Sequence, residues 1–219
     1  IILVHGFASS PETYQQIIGD IKLTQQPFQA WTFGYSSNRP LEAIARELLE
    51  NIEQHAGEFD KVHIAAHSLG GIITQKMLYD AYLANNNSQQ DDYTFLKKVD
   101  KVILVGVPNE GSVFLNAYER LYAFLVNKIS RYNGLININS NIVKTLKTGL
   151  VTPRVPGVNY YVIAGTNPFQ FGSLTAVTEI NKTHDGLVSV ESAQRVGDDY
   201  VNDRCNNFWD INVTHLELI

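Results

Sequence analysis

Cysteine is almost missing from this chain. One cysteine, Cys205, stands among 219 residues, so no disulfide forms within the chain and a cysteine-rich metal site is excluded. Charge is sparse too. Asp, Glu, Lys and Arg make up 18% of the residues, the net charge is -5 and the pI is near 5.7. With no block of like charge and no basic excess to track a phosphate backbone, a nucleic-acid partner is not expected. No apolar run approaches the roughly 18 residues of a membrane helix. There is no internal repeat and no low-complexity tract; the nearest is a polar loop from Asn85 to Asp92. Apolar and aromatic residues are abundant: 44% hydrophobic, with 11 Tyr and 10 Phe. Such a chain buries enough surface to offset its conformational entropy, which excludes disorder. Its length fits one domain over 1–219, at most with an inserted cap. It opens directly on an apolar run with no Met and no signal peptide, so its first residues do not report localisation.

Short apolar runs alternate with helical patterns, as in βαβ units on a parallel sheet. Strands are predicted over Ile1 to Val4, Phe28 to Tyr35, Val62 to Ala66, Val102 to Val107 and Tyr160 to Ala164. A short one is predicted near Leu187 to Ser189 and a last one over 207–213. Ser9 or Ser10 is placed to cap a helix with Pro11 in its first turn. Leu41, Ile44, Ala45, Leu48, Leu49 and Ile52 follow helical spacing, which predicts a sheet-covering helix over 40–55. Further helices are expected over Gly70 to Tyr82 and over 190–196. Between Ser112 and Gly157 the alternation stops. Phe114, Ala117, Leu121, Phe124 and Leu125 form one amphipathic stripe, and Ile142, Val143, Leu146 and Leu150 a shorter one. A structureless loop of this length would be unusual, which predicts a helical insertion at about 112–157; an ordinary crossover helix with a long tail is the alternative.

The strongest chemical signal is Val62-His63-Ile64-Ala65-Ala66-His67-Ser68-Leu69-Gly70-Gly71. A β run ends in a small-x-Ser-x-small turn and passes straight into a helix. A sharp turn of this kind lifts the Ser68 hydroxyl above the sheet edge. Ala66 and Gly70 leave room for it, and the helix N-terminus offers free N–H groups to a developing oxyanion. A serine that merely caps a helix would not need this whole context. A second motif, Ile1-Ile2-Leu3-Val4-His5-Gly6-Phe7, is a strand ending in His-Gly. Gly6 permits a close turn, after which the Phe7 N–H would join the Leu69 N–H in a two-donor oxyanion hole. Each such donor is typically worth roughly 3 kcal/mol in the transition state.

His-Gly-Phe after the first strand and Ala-His-Ser-Leu-Gly-Gly after the third resemble the α/β-hydrolase fold. More narrowly, they are similar to bacterial lipases and esterases and to lipase-like hydrolases of lipid-anchored substrates. Gly106-Val107-Pro108-Asn109-Glu110-Gly111-Ser112 resembles the Gly-x-Pro-x-x-Gly-Ser turn that such lipases carry before their lid. Ala66 departs from the first glycine of Gly-x-Ser-x-Gly, a sterically mild change. The resemblance implies an α/β architecture of about six mostly parallel strands flanked by helices, with a helical cap or lid. It also implies the chain order nucleophile, acid, base.

Of six histidines, His215 follows the last strand, where this fold places its base, in a Val213-Thr214-His215-Leu216 tail resembling the lipase His-Leu motif. His67 adjoins the nucleophile, but strand alternation points it elsewhere. For the acid, Thr183-His184-Asp185-Gly186-Leu187-Val188 resembles the lipase Asp-Gly-Leu-Val segment, so Asp185 leads. Glu110 is the rival, since some lipases take their acid after the preceding strand, and Asp185-Gly186 also reads as a plain turn. The expected triad is therefore Ser68, Asp185 and His215, with Phe7 and Leu69 as the oxyanion donors.

No cofactor is expected. Some lipases bind calcium just after the histidine, where Glu217 stands, but one carboxylate does not supply six oxygen ligands, so no metal is expected. Three Asn-x-Ser/Thr sequons, at Asn86, Asn181 and Asn212, read as chance in an asparagine-rich chain, which leans toward a bacterial source, extracellular or cytoplasmic. If the 114–150 stripe is a lid, its apolar face guards an acyl pocket with Phe7, Phe169 and Phe171 and gives transient interfacial contact. As plain core it says nothing about substrate. The expected partner is a small-molecule acyl ester or lipid. Thioesters or amides cleaved by the same triad, and a non-catalytic binding module, are the alternatives. A chain ending four residues past His215, where a helix would normally follow, reads as a piece of a longer protein.

Overall fold

Alternating apolar runs and amphipathic helices produce a parallel sheet, as the pattern predicts. The computed structural model describes residues 1–87, 92–112, 140–168, 182–203 and 206–219. Its strands are β1 (Ile2–Val4), β2 (Trp31–Phe33), β3 (Val62–His67), β4 (Val99–Val105), β5 (Asn159–Gly165), β6 (Arg195–Val196), β7 (Asp199–Tyr200) and β8 (Phe208–Ile211). Its helices are α1 (Gln15–Leu23), α2 (Leu41–Gln54), α3 (Leu69–Asn86), α4 (Ser140–Thr148) and α5 (Val190–Gln194). Six strands form one sheet in the order β2-β1-β3-β4-β5-β8, and every pairing in it is parallel. Parallel strands need crossover connections, which here carry the helices.

The central strands are apolar because both faces of the sheet are covered. All three residues of β1 are buried, as are Ile64, Ala66, Val102, Leu104, Val162 and Ala164. The two helices packed together beside them differ in kind. α2 buries one stripe, Leu41, Ile44, Ala45, Leu48, Leu49 and Ile52. α3 is buried at every position from Leu69 to Gln75 because it starts above the middle of the sheet. Each large aliphatic side chain so buried contributes about 1.5–3 kcal/mol.

Several boundaries differ from the sequence expectation. β2 is only Trp31–Phe33, an edge strand paired among the described residues to β1 alone, with Phe28 exposed and Gly34 closing it against Pro11. The first helix is preceded by a 3-10 turn over Pro11–Tyr14, and Ser10 makes no side-chain cap. The strand expected near Leu187 to Ser189 is a single antiparallel bridge between His184 and Ser189. The helix expected over 190–196 stops at Gln194, where Arg195 leaves helical geometry and starts the β6–β7 hairpin. Of the expected insertion, α4 lies in the described residues. Its Ile142 and Leu146 belong to the main hydrophobic core, and Leu146 accepts the Ser112 N–H at 2.9 Å. Residues 113–139, with Phe114 to Leu125, and also Phe169 and Phe171, lie outside the described residues.

Candidate active site

The hydrogen-bond ladder of β3 continues one residue past the strand: the Ser68 N–H donates to Val105 at 2.9 Å. The chain then turns abruptly. Ser68 has φ 51° and ψ -122°, a conformation that costs a non-glycine residue on the order of 1–3 kcal/mol. α3 begins at the next residue, so the hydroxyl stands at the carboxyl end of the sheet beside a helix N-terminus. Gly70 makes the turn sterically feasible. A Cβ there would meet the main-chain oxygens of His5 at 2.4 Å and Val4 at 2.5 Å. Gly70→Ala is therefore expected to cost about 2–3 kcal/mol, because backbone cannot yield as a side chain can. Chemical denaturation reads this directly, and a wild-type midpoint would mean that α3 can shift freely away from β1.

The turn after β1 is held at three successive carbonyls. Tyr14 Oη donates to the Val4 carbonyl at 2.8 Å and Tyr35 Oη to the His5 carbonyl at 2.7 Å. Burial raises both phenols' pKa values, so they remain donors. The Gly6 carbonyl accepts from His5 Nδ1 at 2.9 Å and from the Ser9 N–H at 3.4 Å. His5 Nε2 accepts the Tyr35 N–H at 3.2 Å, which fixes the Nδ1–H tautomer, and the ring stacks on Tyr35 at 4.2 Å. Burial lowers the His5 pKa, in keeping with a neutral ring. A Cβ on Gly6 would lie 3.1 Å from Ser68 Cβ, so this turn abuts the serine. The Gly6–Phe7 peptide is thus oriented by its carbonyl, with the Phe7 N–H on the opposite side. Leu69 is the first residue of α3, where an N–H has no intrahelical partner.

Asp185 sits in the turn between β5 and α5 and is 1% exposed. Its Oδ1 accepts the Leu187 N–H at 2.9 Å and the Val188 N–H at 2.7 Å. Its Oδ2 faces His215 Nδ1 at 2.8 Å. Gly186, at φ 98°, lets the chain fold around the carboxylate. Ser112 Oγ donates to the Leu187 carbonyl, and Asn109 bridges Gln75 on α3 at 2.7 Å and the Ala193 carbonyl at 3.2 Å. The Gly106 to Ser112 turn thereby ties α3 to the acid loop and α5.

His215 follows β8 and opens a 3-10 turn whose capping box joins Thr214 and Glu217. Its N–H donates to the Asp185 carbonyl at 2.9 Å, and its Nε2 lies 3.0 Å from Ser68 Oγ. A hydroxyl, an imidazole and a buried carboxylate therefore stand in one hydrogen-bonded chain. Such a chain can remove the hydroxyl proton and stabilise the resulting imidazolium.

Glu110 is not part of it: its carboxylate is exposed and faces Tyr200 Oη at 3.4 Å and Arg195 Nε at 3.9 Å. His55 pairs with Glu58 at 2.7 Å and His63 lies 4.0 Å from Asp100. His184 Nδ1 accepts the Gly186 N–H at 3.0 Å, and burial lowers its pKa. His67 corrects the sequence expectation. It does not point away from the site but lies 4.7 Å from the His215 ring, because the loop after β8 folds over the end of β3 and brings His215 to the face that His67 takes. Tyr14 and Tyr35 were also missed, since nothing in their local sequence marks a hydroxyl aimed at a distant carbonyl. The hairpin had a signal, Gly197-Asp198 between Val196 and Asp199. Glu217 spends its carboxylate on the capping box, and no group of three His, Cys, Asp or Glu among the described residues is arranged to hold a metal ion.

A six-stranded parallel sheet in this order, with a strained serine between its third strand and the following helix, is the α/β-hydrolase fold. No family model matches the chain, and no curated protein matches it. Solved structures do. The mature lipase BlEst2 of Bacillus licheniformis superposes with a TM-score of 0.64 at 20% identity, covering 99% of this chain and 84% of that one. The same lipase in its propeptide form is longer, and the chain spans 46% of it. Lipase 1 of Pelosinus fermentans gives a TM-score of 0.67 at 13% identity, covering 99% of this chain and 92% of that one. The RedJ thioesterase of Streptomyces coelicolor gives 0.53 at 9% identity, covering 99% and 82%. The structural likeness is thus to bacterial lipases and esterases. No helix among the described residues is long and apolar enough to cross a membrane.

Proposed function

We propose that the protein is a serine hydrolase of carboxylic esters, acting on lipid or other acyl esters. The observation that carries this reading is the unbroken chain from Ser68 Oγ through His215 to Asp185, with contacts of 3.0 and 2.8 Å. Ser68 Oγ attacks the ester carbonyl while His215 Nε2 takes its proton. The new C–O bond leaves a tetrahedral oxyanion, which the Phe7 and Leu69 N–H groups hold. Collapse breaks the bond to the leaving alcohol, and His215 returns the proton to it. Water, deprotonated by His215, then attacks the acyl-enzyme, releasing the acid and restoring Ser68. Asp185 keeps the proton of neutral His215 on Nδ1 and faces the imidazolium. Residues 1–219 act as one domain.

A second reading, hydrolysis of a thioester, is favoured by the thioesterase among the similar structures, since the same three residues serve both and the pocket sets the substrate. The test is a panel of p-nitrophenyl esters and acyl thioesters of graded chain length, with a fluorophosphonate probe and peptide mapping. Ester turnover with the label on Ser68 is expected. Turnover of thioesters alone would move the assignment to the second reading. No turnover and no label would leave a binding module.

A further inference from the structure

One buried titratable side chain beside the site has no part in the reaction written above. His67 ends β3, immediately before Ser68, and is 4% exposed. Its Nε2 lies 3.2 Å from the main-chain carbonyl of His215, and the two rings stand 4.7 Å apart at 40°. A carbonyl only accepts, so Nε2 carries the proton and Nδ1 is left with a lone pair. That Nδ1 is buried without a partner. It faces Gly6, where a Cβ would come within 2.8 Å of it. A buried nitrogen left unpaired costs stability that an apolar side chain of similar volume would not.

We propose that His67 is a positioning residue for the base: its Nε2–H holds the His215 carbonyl and its ring backs the His215 imidazole. The proposal rests on the hydrolase reading. The His215 main chain is then tied at both ends, its N–H to Asp185 at 2.9 Å and its carbonyl to His67 at 3.2 Å. The second tie comes from the residue covalently joined to the nucleophile. Any displacement of the serine therefore carries the base with it, and the 3.0 Å contact between them is preserved. This matters because a misplacement of about 1 Å between reacting groups can cost about 100-fold in rate.

The ring must also stay uncharged, because a second cation would oppose the imidazolium on His215. Burial, and next the neighbouring His215, hold the His67 pKa well below the ordinary imidazole value, and His5 acts in the same direction. The titratable groups around it are His215 from the loop after β8, His5 from the end of β1 and Tyr14, with Asp185 behind His215.

The test compares wild type with His67→Leu and His67→Gln on p-nitrophenyl butyrate and records imidazole 15N spectra of the wild type. His67→Leu is expected to lower kcat about tenfold with KM changed less than about twofold, the signature of lost alignment rather than lost binding. His67→Gln places an amide N–H at nearly the same reach and is expected to recover kcat to within about threefold of wild type. The spectra should show His67 neutral and protonated on Nε2 through the pH range in which an ordinary imidazole takes up its second proton. Full activity in His67→Leu, no recovery in His67→Gln, or a proton on Nδ1 overturns the role. Should His67→Leu not fold, His67→Gln and the wild-type spectra decide. A wild type without Ser68-dependent turnover overturns the hydrolase reading and this role together; an active wild type beside an unimpaired His67→Leu overturns this role alone.

Discussion

Ser68→Ala is expected to reduce ester hydrolysis on the order of 10⁵- to 10⁶-fold while leaving the fold intact. The hydroxyl makes one hydrogen bond, to His215, whereas the contacts that build the turn are main-chain: the N–H to Val105 at 2.9 Å and the carbonyl accepting from Gly71 at 3.0 Å. Alanine keeps both. It also keeps the strain at φ 51°, so its denaturation midpoint should stay near that of wild type. Ser68→Gly provides a control that separates strain from chemistry. It should be as inactive, yet more stable than Ser68→Ala by about 1 kcal/mol, because glycine tolerates this conformation. Rates with p-nitrophenyl butyrate and denaturation midpoints on the three proteins measure both effects. An alanine variant within about tenfold of wild type would remove Ser68 from the nucleophile's role.

Asp185→Asn is expected to lower kcat by about 10³- to 10⁴-fold. The reason lies in what surrounds the carboxylate. One oxygen accepts two N–H groups, from Leu187 and Val188, and the other faces His215 Nδ1. An asparagine must turn its oxygen toward the two N–H groups and its NH₂ toward His215. The imidazole then presents a lone pair on Nδ1 and a proton on Nε2, so it no longer accepts the Ser68 proton. Glu110→Gln, whose carboxylate faces Arg195 and Tyr200, should leave the rate unchanged. An active Asp185→Asn beside an inactive Glu110→Gln would reverse the assignment of the acid. Measuring kcat for both variants under identical conditions settles the choice.

The sequence disclosed those parts of the molecule whose cause is local. β3 and α3 are legible because an apolar run, a small-x-Ser-x-small turn and a helix start are contiguous, and α2 because one buried stripe repeats at helical spacing. The partners of Ser68 were legible only through chain order and motif likeness, since nothing local to Asp185 or His215 states that they meet. His67 was misjudged for the same reason. Alternation along β3 gives the face that the side chain takes, but it does not give the loop after β8 that folds over that face. The hydroxyls of Tyr14 and Tyr35 reach carbonyls 10 and 30 residues away, and such a contact leaves no periodic trace. The edge strands β2 and β8 are shorter than predicted, because an edge strand ends where pairing with its one neighbour stops and composition does not mark that point.

The order of strands also fixes when the protein becomes competent during folding. Ser68 and His215 are 147 residues apart, and His215 and Asp185 are 30 apart. β8, which brings His215 to the others, pairs among the described residues with β5 alone at the sheet's edge, and its Trp209 and Ile211 remain exposed. The contact between Ser68 and His215 therefore waits on the pairing of β8 with β5, and so on β5 being in the sheet. Of the four side chains of β8 only Phe208 is buried, so this edge strand is placed to open locally. A population that has kept its central sheet, and the spectroscopic signals of a folded protein, can therefore lack the contact between His215 and Ser68. Under the hydrolase reading, turnover is expected to report complete folding more stringently than any measure of secondary structure.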